Sequence, residues 1–199
     1  MTIYKTTKYI LLLVGSLMLN ITWADDGSLF MLVGNCMGCH GPNGVSLGPA
    51  TPNIAGMNPS TFVKAMEEFR DEERPSTVMR HIAKGYSDED FQTMADYFVK
   101  QAFIPYQQTV DADKVKKGAK LHQKYCQKCH TNSVHTIVGS TNLAGQWMLY
   151  LQFTLVDIYT GVRDMPIRVL QIVENMVQLE GIESVDNLIH FYASQTEHK

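Results

Sequence analysis

The cysteines of this chain constrain its fold more than any other feature, because all four lie in two copies of one short motif. Residues 36–40 read CMGCH and residues 126–130 read CQKCH. The similarity continues beyond the cysteines, since NIAG at 53–56 corresponds to NLAG at 142–145. A sequence that repeats itself in this way predicts two structural units of the same kind in tandem.

Helical patterns dominate both units. Residues 111–125 (DADKVKKGAKLHQKY) place apolar side chains at roughly helical spacing before the second motif. Asn58 before Pro59, and Ser87 three residues before Asp90, are typical helix starts. No segment has the clean alternation of a β-strand, so we predict an all-α fold. The aromatic residues that we assign to its core are Phe69, Tyr97, Phe98, Phe191 and Tyr192.

The N-terminal residues have the pattern of a secretory signal. Lys5 and Lys8 precede an apolar run at 9–21, and the small residue Ala24 follows it. The run is shorter than the roughly 20 residues that a membrane span needs. We therefore expect residues 1–24 to be a signal peptide, the mature protein to lie in the periplasm, and the mature chain to have no membrane span.

The exported chain divides into two small domains. We expect residues 25–104 to form the first and residues 105–199 the second, joined by the polar segment that follows Pro105. The formal net charge of −3 becomes −5 without the two signal lysines, which gives no reason to expect nucleic acid as a partner. Domains of this size bury modest cores, and a large apolar prosthetic group would enlarge the core of each.

Three kinds of site use two cysteines at this spacing: a tetrahedral zinc site, a thioredoxin-like redox pair and a covalently attached haem. Zinc would require the pairs to converge from separate repeats and would leave both histidines unexplained. A redox pair would be expected after a strand. Haem accounts for every residue of the motif, because the cysteines bond to the porphyrin vinyl groups and the histidine then lies beneath the iron.

We therefore predict two covalently bound haem c groups. The predicted haem residues are Cys36, Cys39 and His40 for the first group, and Cys126, Cys129 and His130 for the second.

The sixth iron ligand distinguishes electron transfer from catalysis. A methionine thioether raises the reduction potential and closes the iron to substrates. In the first domain we predict Met79 in this role. In the second, Met165 and Met176 both fit the repeat, and we prefer Met165 because Met176 belongs to the amphipathic pattern at 167–181. His135 is the remaining histidine that could compete for an iron.

A proximal histidine usually donates its outer ring nitrogen to an acceptor that fixes the orientation of the ring. For His40 we expect this acceptor to be a backbone carbonyl of the Gly48–Pro49 segment.

These residues resemble class I cytochromes c arranged as a dihaem pair, and in particular the dihaem cytochrome subunit of flavocytochrome c sulfide dehydrogenase. The matching stretches include CMGCHGPNGVSLGPATPNIAGM, STVMRHIAKGYSDEDFQTMADYF, GAKLHQKYCQKCH, LAGQWMLYLQF and HFYASQ. The resemblance implies two tandem class I domains, each wrapped around one haem. It also implies a heterodimer in which a separate FAD-containing subunit oxidises sulfide to sulfur. This chain would accept the electrons one at a time and pass them to a soluble cytochrome or oxidase.

Two alternatives to this assignment remain. A free-standing dihaem carrier that delivers electrons to a terminal oxidase would have the same haem chemistry but no flavoprotein bound to it. A catalytic dihaem enzyme, such as a peroxidase or a thiosulfate dehydrogenase, would need an open or unusual sixth position, and no cysteine is left over to supply one. We expect an electron-transfer subunit and not an enzyme. No glycine-rich turn follows a strand pattern, so the chain itself has no FAD fingerprint.

Overall fold

The structure, a computed structural model, describes residues 24–128, residue 130 and residues 143–196. Within these ranges every regular element is a helix, which confirms the predicted all-α class. The expected signal peptide, residues 1–24, lies outside the described residues except for Ala24. Among the helices that are described, none is both long enough and apolar enough to cross a lipid bilayer.

From residue 24 onward, the first half contains four α-helices and one short 3₁₀ turn. The α-helices are α1 (Ala24–His40), α2 (Pro59–Arg70), α3 (Met79–Ala83) and α4 (Asp88–Phe98), and the 3₁₀ turn is Pro42–Gly44. The predicted starts of α2 and α4 are confirmed. The Asn58 side chain accepts a hydrogen bond from the backbone of Thr61. Ser87 and Asp90 form a reciprocal capping box that satisfies backbone N–H groups at the start of α4.

The described part of the second half also contains four α-helices. They are α5 (Ala112–Leu121), α6 (Met148–Tyr159), α7 (Ile167–Glu180) and α8 (Glu183–Ala193). A π-helical turn, His122–Cys126, continues α5 into the second cysteine motif. Asp111 caps α5 by accepting from the backbone N–H groups of Asp113 and Lys114 at 2.9 and 3.0 Å.

Each half has its own hydrophobic core. The first core is centred on Phe91, Met94 and Phe98, which are fully buried. The second core consists of Leu121, Ala144, Leu151, Met176, Leu188, Ile189 and Tyr192. The aromatic core assignments are confirmed: Phe98 and Tyr192 are buried, and the partly buried Phe69, Tyr97 and Phe191 pack against their respective cores.

The internal repeat is visible in the backbone. Gly56 donates its N–H to the carbonyl of Phe98 at 2.8 Å, and Gly145 donates to the carbonyl of Tyr192 at 2.9 Å. Both glycines have a positive φ, +65° and +67°, which glycine adopts without steric cost. In each half this glycine therefore ties a loop to the end of the last helix.

The two halves are joined by buried hydrogen bonds. The Gln146 side chain, 1% exposed, accepts from the backbone N–H of Asn53 at 2.9 Å and donates to the carbonyl of the same residue at 3.0 Å. Nearby, the Trp147 indole N–H donates to the carbonyl of Ser46 at 3.2 Å. Because these groups are paired across the contact, the two halves pack at a defined position.

Candidate functional site

The first cysteine motif lines a cavity of about 410 Å³, a volume within the usual range for cofactor and ligand sites. Cys36, Cys39 and His40 reach it from the C-terminal end of α1, and Met79 reaches it from the first residue of α3. The structure thus brings together the four residues predicted for the first haem. Much of the remaining lining is apolar and includes Ile54, Phe62, Met66, Phe69 and Ile82.

The histidine of this motif is held in one orientation. His40 is 8% exposed, and its Nδ1 donates to the carbonyl of Pro52 at 2.8 Å. This bond directs the proton to Nδ1 and leaves Nε2 as the nitrogen that can bind a metal. Burial lowers the pKa of His40, which favours the neutral imidazole that a metal requires.

The acceptor for His40 differs from the expected one, so the assignment to the Gly48–Pro49 segment is wrong. The Ser46 hydroxyl donates to the carbonyl of Thr51 and accepts from the N–H of Gly48, which folds this loop back on itself. Gly48 lies so close to the indole of Trp147 that a Cβ there would be 2.3 Å from the ring. The segment therefore packs against the second half, and Pro52 supplies the carbonyl.

The first two cysteines have free thiols. Cys36 is half-buried and packs against the first core, and burial raises the pKa of its thiol. Cys39, one helical turn later, is exposed. Residues three apart in an α-helix lie on the same face, so both sulfur atoms can serve one ligand in the cavity.

A serine that the sequence analysis did not consider positions Met79. The Ser76 hydroxyl accepts from the backbone N–H groups of Met79 and Val78, at 2.8 and 3.2 Å, at the start of α3. A serine hydroxyl that accepts from the N–H groups two and three residues later forms a common local turn, so the sequence contained a signal for it.

The second motif is described in part. Cys126 packs against the second core, and His130 donates its backbone N–H to the carbonyl of Cys126 at 2.9 Å. Burial lowers the pKa of His130, as it does for His40. The predicted residues Cys129 and His135 lie outside the described residues.

The two candidate methionines of the second half have different surroundings. Met176 is 2% exposed and belongs to the second core, the same cluster against which Cys126 packs. Met165 is half-buried in the connection between α6 and α7, and the described members of that cluster do not include it. Of the two, Met176 is the one that lies in the cluster that Cys126 contacts.

His122 is a buried histidine four residues before Cys126, at the start of the π-helical turn that leads into the second motif. Its Nδ1 lies 3.3 Å from the hydroxyl of Tyr192. Burial, and secondarily the neighbouring His130, lower the pKa of His122. It begins the π-helical turn, in which the N–H of Gln127 reaches the carbonyl of His122 at 2.8 Å. Such turns occur frequently at functional sites.

Comparison with curated proteins finds relatives for both halves, while no family model matches the chain. The chain is 33% identical over 72 residues to cytochrome c-554(548) of Halomonas halodenitrificans, which covers 35% of this chain and 87% of that protein. It is 26% identical over 164 residues to cytochrome c4 of Pseudomonas aeruginosa, covering 77% and 82%. It is 41% identical over 64 residues to the cytochrome subunit of sulfide dehydrogenase of Chlorobaculum tepidum, covering 32% and 57%. The last match therefore spans little more than half of that subunit.

Solved structures show the same fold. Cytochrome c4 from Pseudomonas stutzeri superposes with a TM-score of 0.71 at 22% identity, covering 85% of this chain and 97% of that one. Cytochrome c4 from Acidithiobacillus ferrooxidans gives a TM-score of 0.69 at 22% identity, covering 81% and 99%. The expectation of two tandem class I domains is thereby confirmed.

The site has the chemistry that a c-type haem needs. Two free thiols on one helix face, a neutral histidine with an unused Nε2 and a methionine line one largely apolar cavity. The attachment motif occurs twice, so the chain carries two covalently bound haem c groups. Its relatives are electron-transfer proteins, which confirms that it is an electron carrier and not itself an enzyme. This chain belongs to the class I cytochromes c, in their two-domain form.

Proposed function

We propose that this protein accepts electrons from a flavoprotein, the FAD-containing subunit of a sulfide dehydrogenase, and passes them singly to a soluble cytochrome or oxidase in the periplasm. The observation that carries the proposal is the match between this chain and a sulfide dehydrogenase cytochrome subunit, whose identity exceeds that with the cytochromes c4. The presence of Met79 in the first cavity supports electron transfer over catalysis, because a methionine ligand closes the iron to substrates.

In the first half, we assign Cys36 and Cys39 to covalent attachment, His40 to the proximal position and Met79 to the sixth position. When bound, the haem supplies an iron centre that gains and loses one electron. The Pro52 carbonyl orients His40, and its hydrogen bond makes the imidazole a stronger electron donor to a metal. The apolar lining keeps water away, which also tunes the reduction potential.

In the second half, we assign Cys126 and Cys129 to attachment and His130 to the proximal position. Met165 and Met176 remain the two candidates for the sixth position. Sequence spacing supports both, and the presence of Met176 in the cluster that Cys126 contacts now favours Met176. Replacement of each methionine separately decides between them.

Export and domain division complete the proposal. Residues 1–24 would direct the chain to the periplasm, where haem attachment takes place, and residues 25–104 and 105–199 would form the two haem domains. The proposed boundary lies in the segment between α4 and α5, which has no regular secondary structure.

A second candidate is a free-standing dihaem carrier. The cytochrome c4 of Pseudomonas aeruginosa matches a much larger share of this chain than the sulfide dehydrogenase subunit does, which favours this alternative. The haem residues would have the same roles, and only the electron donor would differ.

Purification of the protein from its native host distinguishes the two. The sulfide dehydrogenase proposal predicts that tagged holoprotein copurifies with a yellow FAD-containing protein, and that sulfide reduces the haems of this complex. The control is the same tagged protein stripped of partners by high salt, whose haems sulfide should reduce far more slowly. Holoprotein that purifies without flavin, and is reduced equally slowly in both preparations, would contradict the proposal and favour the free-standing carrier.

A further inference from the structure

The first cavity is lined by one arginine from each half of the molecule. Arg74 follows α2 in the first half, and Arg163 follows α6 in the second. The Arg74 side chain is only 10% exposed, and its guanidinium lies over the ring of Phe69 at 4.7 Å. Residues of α6, among them Tyr150 and Asp157, also line the cavity. The second half therefore forms part of the wall of the first site.

The internal repeat places the two arginines equivalently. After α2, the N–H groups of residues 73 and 74 both donate to the carbonyl of Glu68, at 2.9 and 3.0 Å. After α6, the N–H groups of residues 162 and 163 both donate to the carbonyl of Asp157, at 2.9 Å. In each turn the residue two positions before the arginine has a positive φ, +63° at Glu72 and +70° at Gly161. The same backbone turn thus directs both arginines to one cavity.

The positive charge of this pair is only partly compensated by neighbouring groups in the described residues. The nearest carboxylate to Arg74 is Glu68, at 3.9 Å from Nη1, which is longer than a charge-assisted hydrogen bond. Glu68 also lies 3.6 Å from Lys64. Arg163 has no ion pair within 4 Å among the residues that the structure describes. Burial lowers the pKa of Arg74, and the neighbouring Arg163 lowers it further. Tyr150 and Glu68 offset this only in part, so a buried cation in a cavity that a second arginine also lines indicates that an anionic group belongs beside the pair.

We propose that Arg74 and Arg163 form a two-arginine clamp for the carboxylate groups of the haem held in the first cavity. The planar guanidinium group binds carboxylates in a bidentate manner, and haem carries two propionate carboxylates. Arg163 is thereby a positioning residue that the second domain contributes to the haem of the first. This inference rests on the proposed haem attachment at Cys36 and Cys39. It adds that the reduction potential of the first haem depends on a charge from the second domain.

The test is a redox titration of the dihaem holoprotein and three variants, Arg163→Gln, Arg74→Gln and Arg168→Gln, over a range of pH. Positive charge near a haem favours the reduced state, so removing it lowers the reduction potential. Arg163→Gln and Arg74→Gln should each lower the same one of the two midpoint potentials. They should also make that potential depend on pH where a carboxylate titrates. Arg168, exposed on α7, is the control for the loss of one positive charge, and its replacement should leave both potentials unchanged.

Three results would overturn the clamp: no shift in Arg163→Gln, equal shifts of both haems, or the same shift in Arg168→Gln. If Arg74→Gln does not fold because Arg74 is buried, the potentials of Arg163→Gln alone still test the clamp. The affected haem must be the one whose potential also changes when Met79 is replaced. The intact mass of each variant distinguishes a failure of haem attachment from a failure of the arginine clamp. Loss of haem from the unmodified protein contradicts the attachment itself, whereas two attached haems with unshifted potentials contradict the clamp alone.

Discussion

At the scale of single residues, the first haem site depends on neighbours that lie outside the Cys-x-x-Cys-His motif. The motif supplies two thiols and an imidazole, but Pro52 orients His40 and Ser76 caps the turn that presents Met79. Arg74 lines the same cavity. Replacement of single side chains should therefore separate ligands from residues that only line the cavity.

Met79→Leu should lower the reduction potential of one haem, because a thioether ligand is lost while the volume of the side chain is nearly kept. The fall should be on the order of tenths of a volt, since axial ligands set potentials over about 0.8 V. The sulfur-to-iron charge-transfer band of that haem should disappear from the absorption spectrum. Met94→Leu is the control, because Met94 is buried in the first core. A Met79→Leu protein with both potentials and both bands intact would show that Met79 is not a ligand.

Two variants, Met165→Leu and Met176→Leu, identify the residue that fills the sixth position of the second haem. The burial of Met176 with the cluster that contacts Cys126 predicts that Met176→Leu removes the charge-transfer band of the second haem. Met165→Leu should then leave the spectrum unchanged, because one methionine fills the sixth position and Met165 lies outside the cluster that Cys126 contacts. The opposite pattern would restore Met165, the residue that the sequence favoured.

At the scale of helices, the second half is held together by the crossing of α5 and α8. Gly118 lies at the contact, where an added Cβ would be 2.1 Å from the carbonyl oxygen of Asn187 and 2.6 Å from Cβ of Phe191. A glycine inside a helix normally weakens it, so its presence here is explained by the close approach of the two helices. His190 on α8 also accepts from the N–H of Asp111, just before α5.

Gly118→Ala should destabilise the protein, because the helices must move apart to make room for one methyl group. Overpacking of this kind costs about 1–3 kcal/mol. Gly34→Ala in α1 is the matched control, since a Cβ there meets no atom within 4 Å. That change should be neutral or stabilise by about 0.5–1 kcal/mol. Denaturant unfolding of the two holoproteins measures both effects, and equal stabilities would contradict the assigned helix contact.

At the scale of the whole molecule, a few buried side chains of the second half fix its position against the first half. Gln146 pairs with both backbone groups of Asn53, and the Trp147 indole covers Gly48. Residues of α6 complete the wall of the first cavity. A change in the packing between the two halves would therefore also change the wall of the first cavity.

Gln146→Ala should destabilise the contact between the halves, because it leaves the buried N–H and carbonyl of Asn53 without partners. Unpaired buried groups cost about 1–3 kcal/mol. Gln171→Ala, at an exposed position of α7, should change stability by less than about 0.5 kcal/mol. Calorimetry of the holoproteins measures the difference. Equal melting temperatures for the two variants would show that Gln146 does not hold the halves together.

Local sequence signals predicted the helical class and the first site, because caps and ligand spacing act over a few residues. Asn58, Ser87 and the group Cys36, Cys39 and His40 are examples, whereas Met79 reaches the same cavity from a distant part of the chain. Contacts between the halves were not predictable in this way. The Trp147 indole donates to the carbonyl of Ser46 across 101 residues and packs against Gly48, while the carbonyl that His40 contacts belongs to Pro52. The second methionine stayed open because the repeat spacing fits two residues and only packing separates them.

The most direct test of covalent haem attachment at both motifs is the intact mass of the exported holoprotein, produced together with a haem-attachment system. We predict a polypeptide that carries two covalent haem groups, and a variant with Cys126→Ser and Cys129→Ser that carries one. A polypeptide without added haem, or one that holds zinc at its cysteines, would contradict the assignment of this chain as a dihaem electron carrier.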